Sequence, residues 1–345
     1  MARTAEPVPA SLPGLDLDRL TRWFRADVSA AVTSLSARLI EGGKSNLTYV
    51  VSDETSSWVL RRPPLGHVLE TAHDMAREYR VMSALAGTDV PVPGVTAYCA
   101  DPEVLGAPFY LMEFVAGTPY RRGAALGCLG SQRVRTISVG LVEVLADLHQ
   151  IEPAAVGLQD FGRSDGFLTR QVNRWQKQLE ASMSRELPAA TRLHEALARH
   201  VPTPSSAGIV HGDYRLDNVL FGADDRPAAV IDWEMSTIGD PLTDLALLLL
   251  YRQMPELVGT AAASDASSAA GFISQEEILE VYAAGSNRDL SGIDFYLALA
   301  AFKLASISEG IHYRHLNGQT VGDGFDTIGD VVEPLLEFGL ITLRE

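Results

Sequence analysis

Basic charge is scarce in this chain of 345 residues, and lysine most of all. Lysine occurs only at positions 44, 177 and 303, and 28 basic residues face 44 acidic ones, a formal net charge of −16. Nonspecific binding to nucleic acid or to an anionic membrane needs a basic face, so neither partner is expected. An anionic ligand would have to be met locally, by a metal ion, a few arginines or a helix N-terminus. Cysteine is nearly absent as well. Cys99 and Cys128 make no disulfide framework, which implies a reducing compartment and an expected cytoplasmic location. Long apolar runs are missing: Leu245–Tyr251 is far short of the roughly 20 residues that span a bilayer. The opening MARTAEPVPASLPGLD lacks the apolar run of a leader, and its Pro and Ala content reads as a loosely held tail over 1–15. No internal repeat is present. One low-complexity stretch, Gly259–Gly271, reads as a surface loop. The remaining composition, 46% hydrophobic and 21% charged, is that of an ordinary globular protein. A chain of this size buries roughly 75% of its unfolded surface, so it needs no disulfide or metal staple.

The first third reads as strands around one main helix. Ser36–Ile40 and Leu47–Val51 flank a Gly-rich turn over 41–46, and Ser57–Arg61 is a third strand stopped by Pro63-Pro64. Ala72, Met75, Ala76, Tyr79, Met82 and Leu85 fall at helical spacing, with Glu78 one residue off that stripe. Pro91-Val92-Pro93 breaks the chain, and Phe109–Val115 is a further strand running into the turn Ala116-Gly117-Thr118-Pro119. The boundary between an N-terminal lobe, 16–115, and a C-terminal lobe, 116–345, is placed there. The second lobe is mostly helical, with candidates at Val134–His149, Phe167–Glu180, Thr191–His200, Asp240–Tyr251, Gln275–Ala284 and Ile293–Tyr313. Short apolar strands, Gly208–Val210 and Ala228–Ile231, bracket its most informative segment. The expected fold class is α+β and bilobal, and a cleft between such lobes is a preferred ligand site.

That segment is His211-Gly212-Asp213-Tyr214-Arg215-Leu216-Asp217-Asn218, followed by Asp232 after an apolar strand. It resembles the kinase catalytic loop H-R-D-x-x-x-x-N and the D-F-G that follows, with Gly for the loop Arg and Trp-Glu for Phe-Gly. In this reading Asp213 is the base that accepts the proton of an acceptor hydroxyl. Asn218 and Asp232 offer magnesium the oxygen ligands that hard cations prefer, and His211 braces the loop. A capped turn between two strands is the plainer account of the same residues.

Other candidates depend on position. Alternation puts Val59 and Arg61 on one strand face, as an apolar floor for adenine and a cation for the phosphates. Lysine is usual at the second position, but none of the three fits, so Arg61 takes it with Glu78 to orient it. Gly42, Gly43, Lys44, Ser45 and Asn46 would lie over the phosphates and use backbone N–H groups. Met112–Val115, with Glu113 and Val115 at its end, would supply the backbone edge that pairs with adenine. Asp240 before Pro241 reads as an N-cap. Asp244 either braces the loop or answers the helix dipole, and the dipole is the simpler account. Arg170, Arg174, Trp175 and Lys177 crowd one helical segment and suggest contact with an anion of the acceptor, against a solvated face as the bland alternative. Arg314, near the end of the last candidate helix with His312 and His315, is a similar case.

Taken together, Val59-Leu60-Arg61, Arg77-Glu78-Tyr79, Leu111-Met112-Glu113, Leu145–His149, the 211–218 loop and Ile231-Asp232-Trp233-Glu234 through Gly239–Asp244 resemble the aminoglycoside phosphotransferase-like family of small-molecule kinases. The resemblance implies a bilobal protein-kinase-like fold, ATP, magnesium at Asn218 and Asp232, and a base at Asp213. Leu60–Pro64, Phe167–Gln171 and Ser308–Ile311 are most similar to the kinase-like domains associated with acyl-CoA dehydrogenases, which are linked to phosphorylation of hydroxylated fatty-acyl substrates. The resulting expectation is transfer of the γ-phosphate to a small-molecule hydroxyl, with hydroxyacyl acids or their CoA esters among the acceptors. An antibiotic acceptor, or a nucleotide-binding module without transfer, are the alternatives.

Overall fold

Strand alternation and helix period build two kinds of layer here, and the computed structural model describes them over residues 12–40, 46–65, 74–203, 206–259, 264–320 and 325–344. They fall into two compact units: Met1–Ala116 with Ala229–Glu234, and Gly117–Ala228 with Met235–Glu345. No helix among the described residues is long and apolar enough to cross a membrane.

The first unit runs α1 (Leu17–Asp27), β1 (Ser36–Leu39), β2 (Leu47–Ser52), β3 (Ser57–Arg62), α2 (Met75–Leu85), β4 (Val95–Cys99), α3 (Pro102–Leu105) and β5 (Phe109–Glu113). The strands form one antiparallel sheet in the order β1-β2-β3-β5-β4. Two residues of β3 separate its faces. Leu60 turns to the core that Leu20 and Phe24 of α1 share with Tyr49, Val51, Phe109 and Leu111. Arg61 is on the other face, in register with Thr48 and Tyr110. α1 and β4 add to the expected elements. α1 buries only Leu20 and Phe24, a stripe too thin to stand out. β4 is buried fully only at Cys99, which leaves little period-two signal. Leu15, at the end of the expected tail, is buried.

α2 corrects the expected helical stripe. Asp74 caps it, its carboxylate accepting the Arg77 N–H at 3.0 Å. The buried positions are Met75, Glu78, Val81, Met82 and Leu85, while Ala76 is exposed. Glu78 is therefore on the buried stripe and not beside it. Hydrophobicity alone misplaces the stripe because a carboxylate with partners occupies an inward position.

The second unit comprises α4 (Gly123–Gly127), α5 (Ser131–Gln150), α6 (Phe167–Ser182), α7 (Pro188–Arg199), β6 (Gly208–Val210), β7 (Val219–Phe221), the start of β8 (Pro227–Val230), β9 (Thr237–Gly239), α8 (Leu242–Val258), α9 (Gln275–Ala284), α10 (Ile293–Leu316) and α11 (Val332–Leu343). α10 is apolar on nearly every side and takes the centre, packed by α6, α7, α8 and α11. β6 and β9 pair antiparallel, which sets the chain leaving Val210 beside the chain entering β9 at Thr237, and the start of β6 at Gly208 beside Gly239, where the chain leaves for α8. α8 begins at Leu242 and not at Asp240. Asp240 still caps it from one residue further out, accepting the Leu242 N–H at 3.2 Å and the Tyr296 hydroxyl at 2.8 Å. The stretch read as a surface loop at 259–271 is in part packed. Ala266 and Ala269 are buried, and the Asp265 carboxylate accepts the Gly123 N–H at 2.9 Å. Both cysteines are free.

Candidate active site

In the first unit, buried charge is gathered around Arg61. Its Nε is 3.1 Å from Glu78 Oε2, and its Nη2 is 2.5 Å from Asp232 Oδ1 and 3.6 Å from Glu234 Oε2. Asn46 Nδ2 donates to Glu78 Oε1 and Glu234 Oε2, both at 3.1 Å, and the Tyr110 hydroxyl donates to Glu78 Oε2 at 2.9 Å. Glu78 is 1% exposed. Burial pushes its carboxyl above the usual range against the pull of Arg61. Burial works against the Arg61 charge, but the surrounding acids outweigh it and raise its pKa. The Asp-Trp-Glu departure from the kinase pattern is accounted for in this knot. Trp233 is fully buried and ties its indole N–H to the Val230 carbonyl at 3.0 Å, and Glu234 joins Arg61 and Asn46. Asp232 itself has φ +68°, a left-handed backbone costly for a non-glycine residue and held by these neighbours.

Val59 is buried on the Arg61 face. Glu113 is exposed and spends its N–H on the Gly94 carbonyl at 2.7 Å, and Val115 is partly exposed. Gly42, Gly43, Lys44 and Ser45 lie outside the described residues.

In the second unit the 211–218 loop leaves β6 and is pinned from beneath by Asp244, in the first turn of α8. Asp244 Oδ2 accepts the His211 N–H at 2.6 Å and Oδ1 the Gly212 N–H at 2.8 Å. The carboxylate is 1% exposed. Burial alone would raise its pKa, but His149, His211 and the loop N–H groups hold it below the ordinary value. Bracing is therefore its structural role, and the dipole account is set aside. His149 Nε2 stands 3.6 Å from Asp244, too far for a hydrogen bond, while His149 Nδ1 meets the Tyr282 hydroxyl at 2.8 Å. Burial holds the His149 ring below its usual pKa.

Gly212 explains why this loop carries Gly where the kinase pattern has Arg. Its φ is +86°, and a Cβ would sit 2.6 Å from the Met235 carbonyl oxygen. His211 is fully buried, and its Nδ1 accepts the Asp213 N–H at 3.2 Å. A 3-10 turn at Leu216–Asn218 then folds Asn218 back. Asn218 Nδ2 donates to the Asp213 carbonyl at 2.8 Å and to Asp213 Oδ2 at 3.1 Å. Both contacts are acceptors, which assigns the amide orientation and leaves Oδ1 without a hydrogen bond among the described residues. Asp213 is partly exposed, with Arg215 Nε 3.5 Å from its Oδ2. Arg215 also holds buried Asp217 at 3.1 Å.

Among the predicted acceptor residues, Arg170 donates to the carbonyls of Arg163 and Asp165 and so closes the turn before its own helix. Arg174 is exposed, with its guanidinium 5.0 Å from the centroid of the buried Trp175 ring. Arg314 is exposed at the end of α10. Lys303, which sequence reasoning passes over, has its Nζ 5.5 Å from the Trp175 centroid and 2.5 Å from the Gly212 carbonyl oxygen. A lone lysine in an apolar helix of a lysine-poor chain is the signal that could have found it.

The family model for the phosphotransferase enzyme family matches residues 36–315, and the chain belongs to that family. It carries the small-molecule kinase fold, a small antiparallel sheet unit and a helical unit. A putative aminoglycoside phosphotransferase from Ralstonia eutropha superimposes with a TM-score of 0.83 at 32% identity, covering 95% of this chain and 98% of that one. Aminoglycoside phosphotransferase APH(4)-Ia, solved as a ternary complex with AMP-PNP and hygromycin B, shares the fold at TM-score 0.59 and 15% identity, over 94% and 97% of the two chains. In sequence the chain is 36% identical to human acyl-CoA dehydrogenase family member 11 and 32% identical to the Arabidopsis thaliana probable acyl-CoA dehydrogenase IBR3, over 92% and 94% of its length. It spans only 41% and 42% of those two proteins.

Proposed function

We propose that this chain is an ATP- and magnesium-dependent kinase that moves the γ-phosphate to a hydroxyl of a small molecule, with hydroxyacyl acids or hydroxyacyl-CoA esters as the acceptor class. The observation that carries the reading is the Asn218 amide, committed to Asp213 through Nδ2 with Oδ1 left over. Oxygen from Asn218 and from Asp232 suits a hard divalent cation, which would neutralise phosphate charge when bound. Asp213 accepts the acceptor's proton and aims its oxygen. Arg61, in place of the usual lysine, offers a fixed fork of donors to nucleotide phosphates, oriented by Glu78. The AMP-PNP complex of a fold neighbour supports ATP as donor, and the acyl-CoA dehydrogenase names of the sequence relatives support an acyl acceptor.

The test is a labelled-ATP screen against hydroxy acids, hydroxyacyl-CoAs and aminoglycosides with magnesium present. Transfer to a hydroxyacyl compound, abolished by chelation and by Asp213→Ala, is the expected result. Transfer to aminoglycosides alone would replace the acceptor class. ATP binding without transfer to any member of the panel would leave a nucleotide-binding module.

A further inference from the structure

Lys303 and Arg174 are two cations with no carboxylate within 4 Å among the described residues, and they share a neighbour. Both rest against one indole, Trp175, with Arg174 at 5.0 Å and Lys303 at 5.5 Å from its centroid. Lys303 also donates to the carbonyl of Gly212, the residue just before Asp213. An ammonium has three donors; a carbonyl and a ring face satisfy it only with partial charges. Two cations gathered on one aromatic ring repel one another, and the carboxylates that attract Lys303, Asp213 and Asp244, do so without a direct ion pair. Burial and Arg174 accordingly hold the Lys303 pKa below its ordinary value, against attraction from Asp213 and Asp244. Lys303 is nonetheless partly exposed and Arg174 exposed, which leaves room for a ligand to reach them.

We infer that Lys303, Trp175 and Arg174 form the recognition site for an anionic group of the acceptor, which sets the charge of the molecule presented to Asp213. The inference rests on the kinase reading and narrows it: the acceptor carries a carboxylate or phosphate close to the hydroxyl that reacts. Trp175, buried itself, fixes where the two cations stand. Arg174 offers a planar fork to the anion and Lys303 a point charge beside the loop. Cationic antibiotics would meet two positive side chains here, and neutral alcohols would lose the charge-assisted bonds.

Calorimetric binding to the full chain separates this inference from the reading on which it rests, because it needs no turnover. The probes are β- and γ-hydroxy acids, their primary amides, and their CoA thioesters, whose charges are remote from the hydroxyl. The free acids should bind about 10–100-fold tighter than the amides, the range of a charge-assisted hydrogen bond. Lys303→Met and Arg174→Gln should each erase most of that preference, while Arg192→Gln, at an exposed arginine on α7, should preserve it. Thioesters that bind as weakly as the amides would identify a carboxylate on the acyl chain as the anion; thioesters that match the acids would show that no charge close to the hydroxyl is needed and would overturn the inference. Equal binding of acid and amide by the wild-type chain, or a preference unchanged in both variants, would overturn the inference. Labelled-ATP transfer measured on the same proteins reports separately on kinase activity.

Discussion

Two anchoring schemes hold the proposed catalytic side chains, and they differ in what does the holding. Around Arg61, charged side chains hold one another: Glu78, Asp232, Glu234 and Asn46 form a network of ion pairs and hydrogen bonds on a sheet face. Around Asp213, one buried carboxylate holds the backbone: Asp244 takes the N–H groups of two consecutive loop residues. A side-chain network can exchange one acid for another when a ligand brings its own charge. A carboxylate committed to peptide N–H groups cannot do so without exposing them. On the proposed function, the Arg61 cluster would be suited to rearranging around a nucleotide, and the 211–218 loop to staying still.

Substitutions can break or sharpen that contrast. Asp213→Ala removes the proposed base, and kcat for an identified acceptor should fall about 10²–10⁴-fold while thermal stability changes little. Asp244→Ala strikes the anchor itself. Two buried N–H groups lose their acceptor, so unfolding in urea should show a loss of about 2–6 kcal/mol, at about 1–3 kcal/mol per unpaired donor. Little destabilisation would end the distinction between the two schemes. Gly212→Ala should cost about 1–3 kcal/mol in the same assay, from positive φ and overlap with the Met235 carbonyl. Arg61→Lys keeps the charge but loses the fork. The KM for ATP should rise roughly tenfold with little change in kcat.

The smallest effect is a pH dependence at the base of the loop. His149 is held below the ordinary histidine value of 6.5 by burial. As pH falls through 6.5 the unfolded chain takes up a proton that the folded chain refuses, so stability drops on the acid side. Between pH 6.5 and about pH 5.5 the loss from this group is at most about 1 kcal/mol, the limit for a ring that stays neutral when folded. Melting temperatures across that window should flatten in His149→Gln relative to wild type. Equal slopes would mean that other groups carry the acid sensitivity.

Much of the loop is legible in the amino-acid order alone. The Asp213–Asn218 spacing is a local property, because one 3-10 turn brings the amide back onto the carboxylate. Arg61 stands out because none of the three lysines fits its position, whereas Glu78 reads as one residue off the apolar stripe and its inward direction is not legible. Asp244 is ambiguous in sequence, since a carboxylate in the first turn of a helix looks the same whether it faces a dipole or a loop. Lys303 escapes notice because its helix is apolar on all sides and offers no stripe from which to judge direction. α1 and β4 escape it for want of periodic signal.

The sequence by itself determined which residues are chemically competent and which of them are neighbours along the chain. Short-range geometry follows from backbone turns and helix period, and both are written locally. Tertiary structure alone decided that Glu78 points inward to Arg61, that Asp232 and Glu234 return to the same guanidinium, and that Asp244 and Lys303 reach opposite ends of Gly212. Those contacts join residues 32, 91 and 171 positions apart, or depend on which face of a helix is buried. A buried charge takes whatever partner the packed chain brings to it, and only the folded chain specifies that partner.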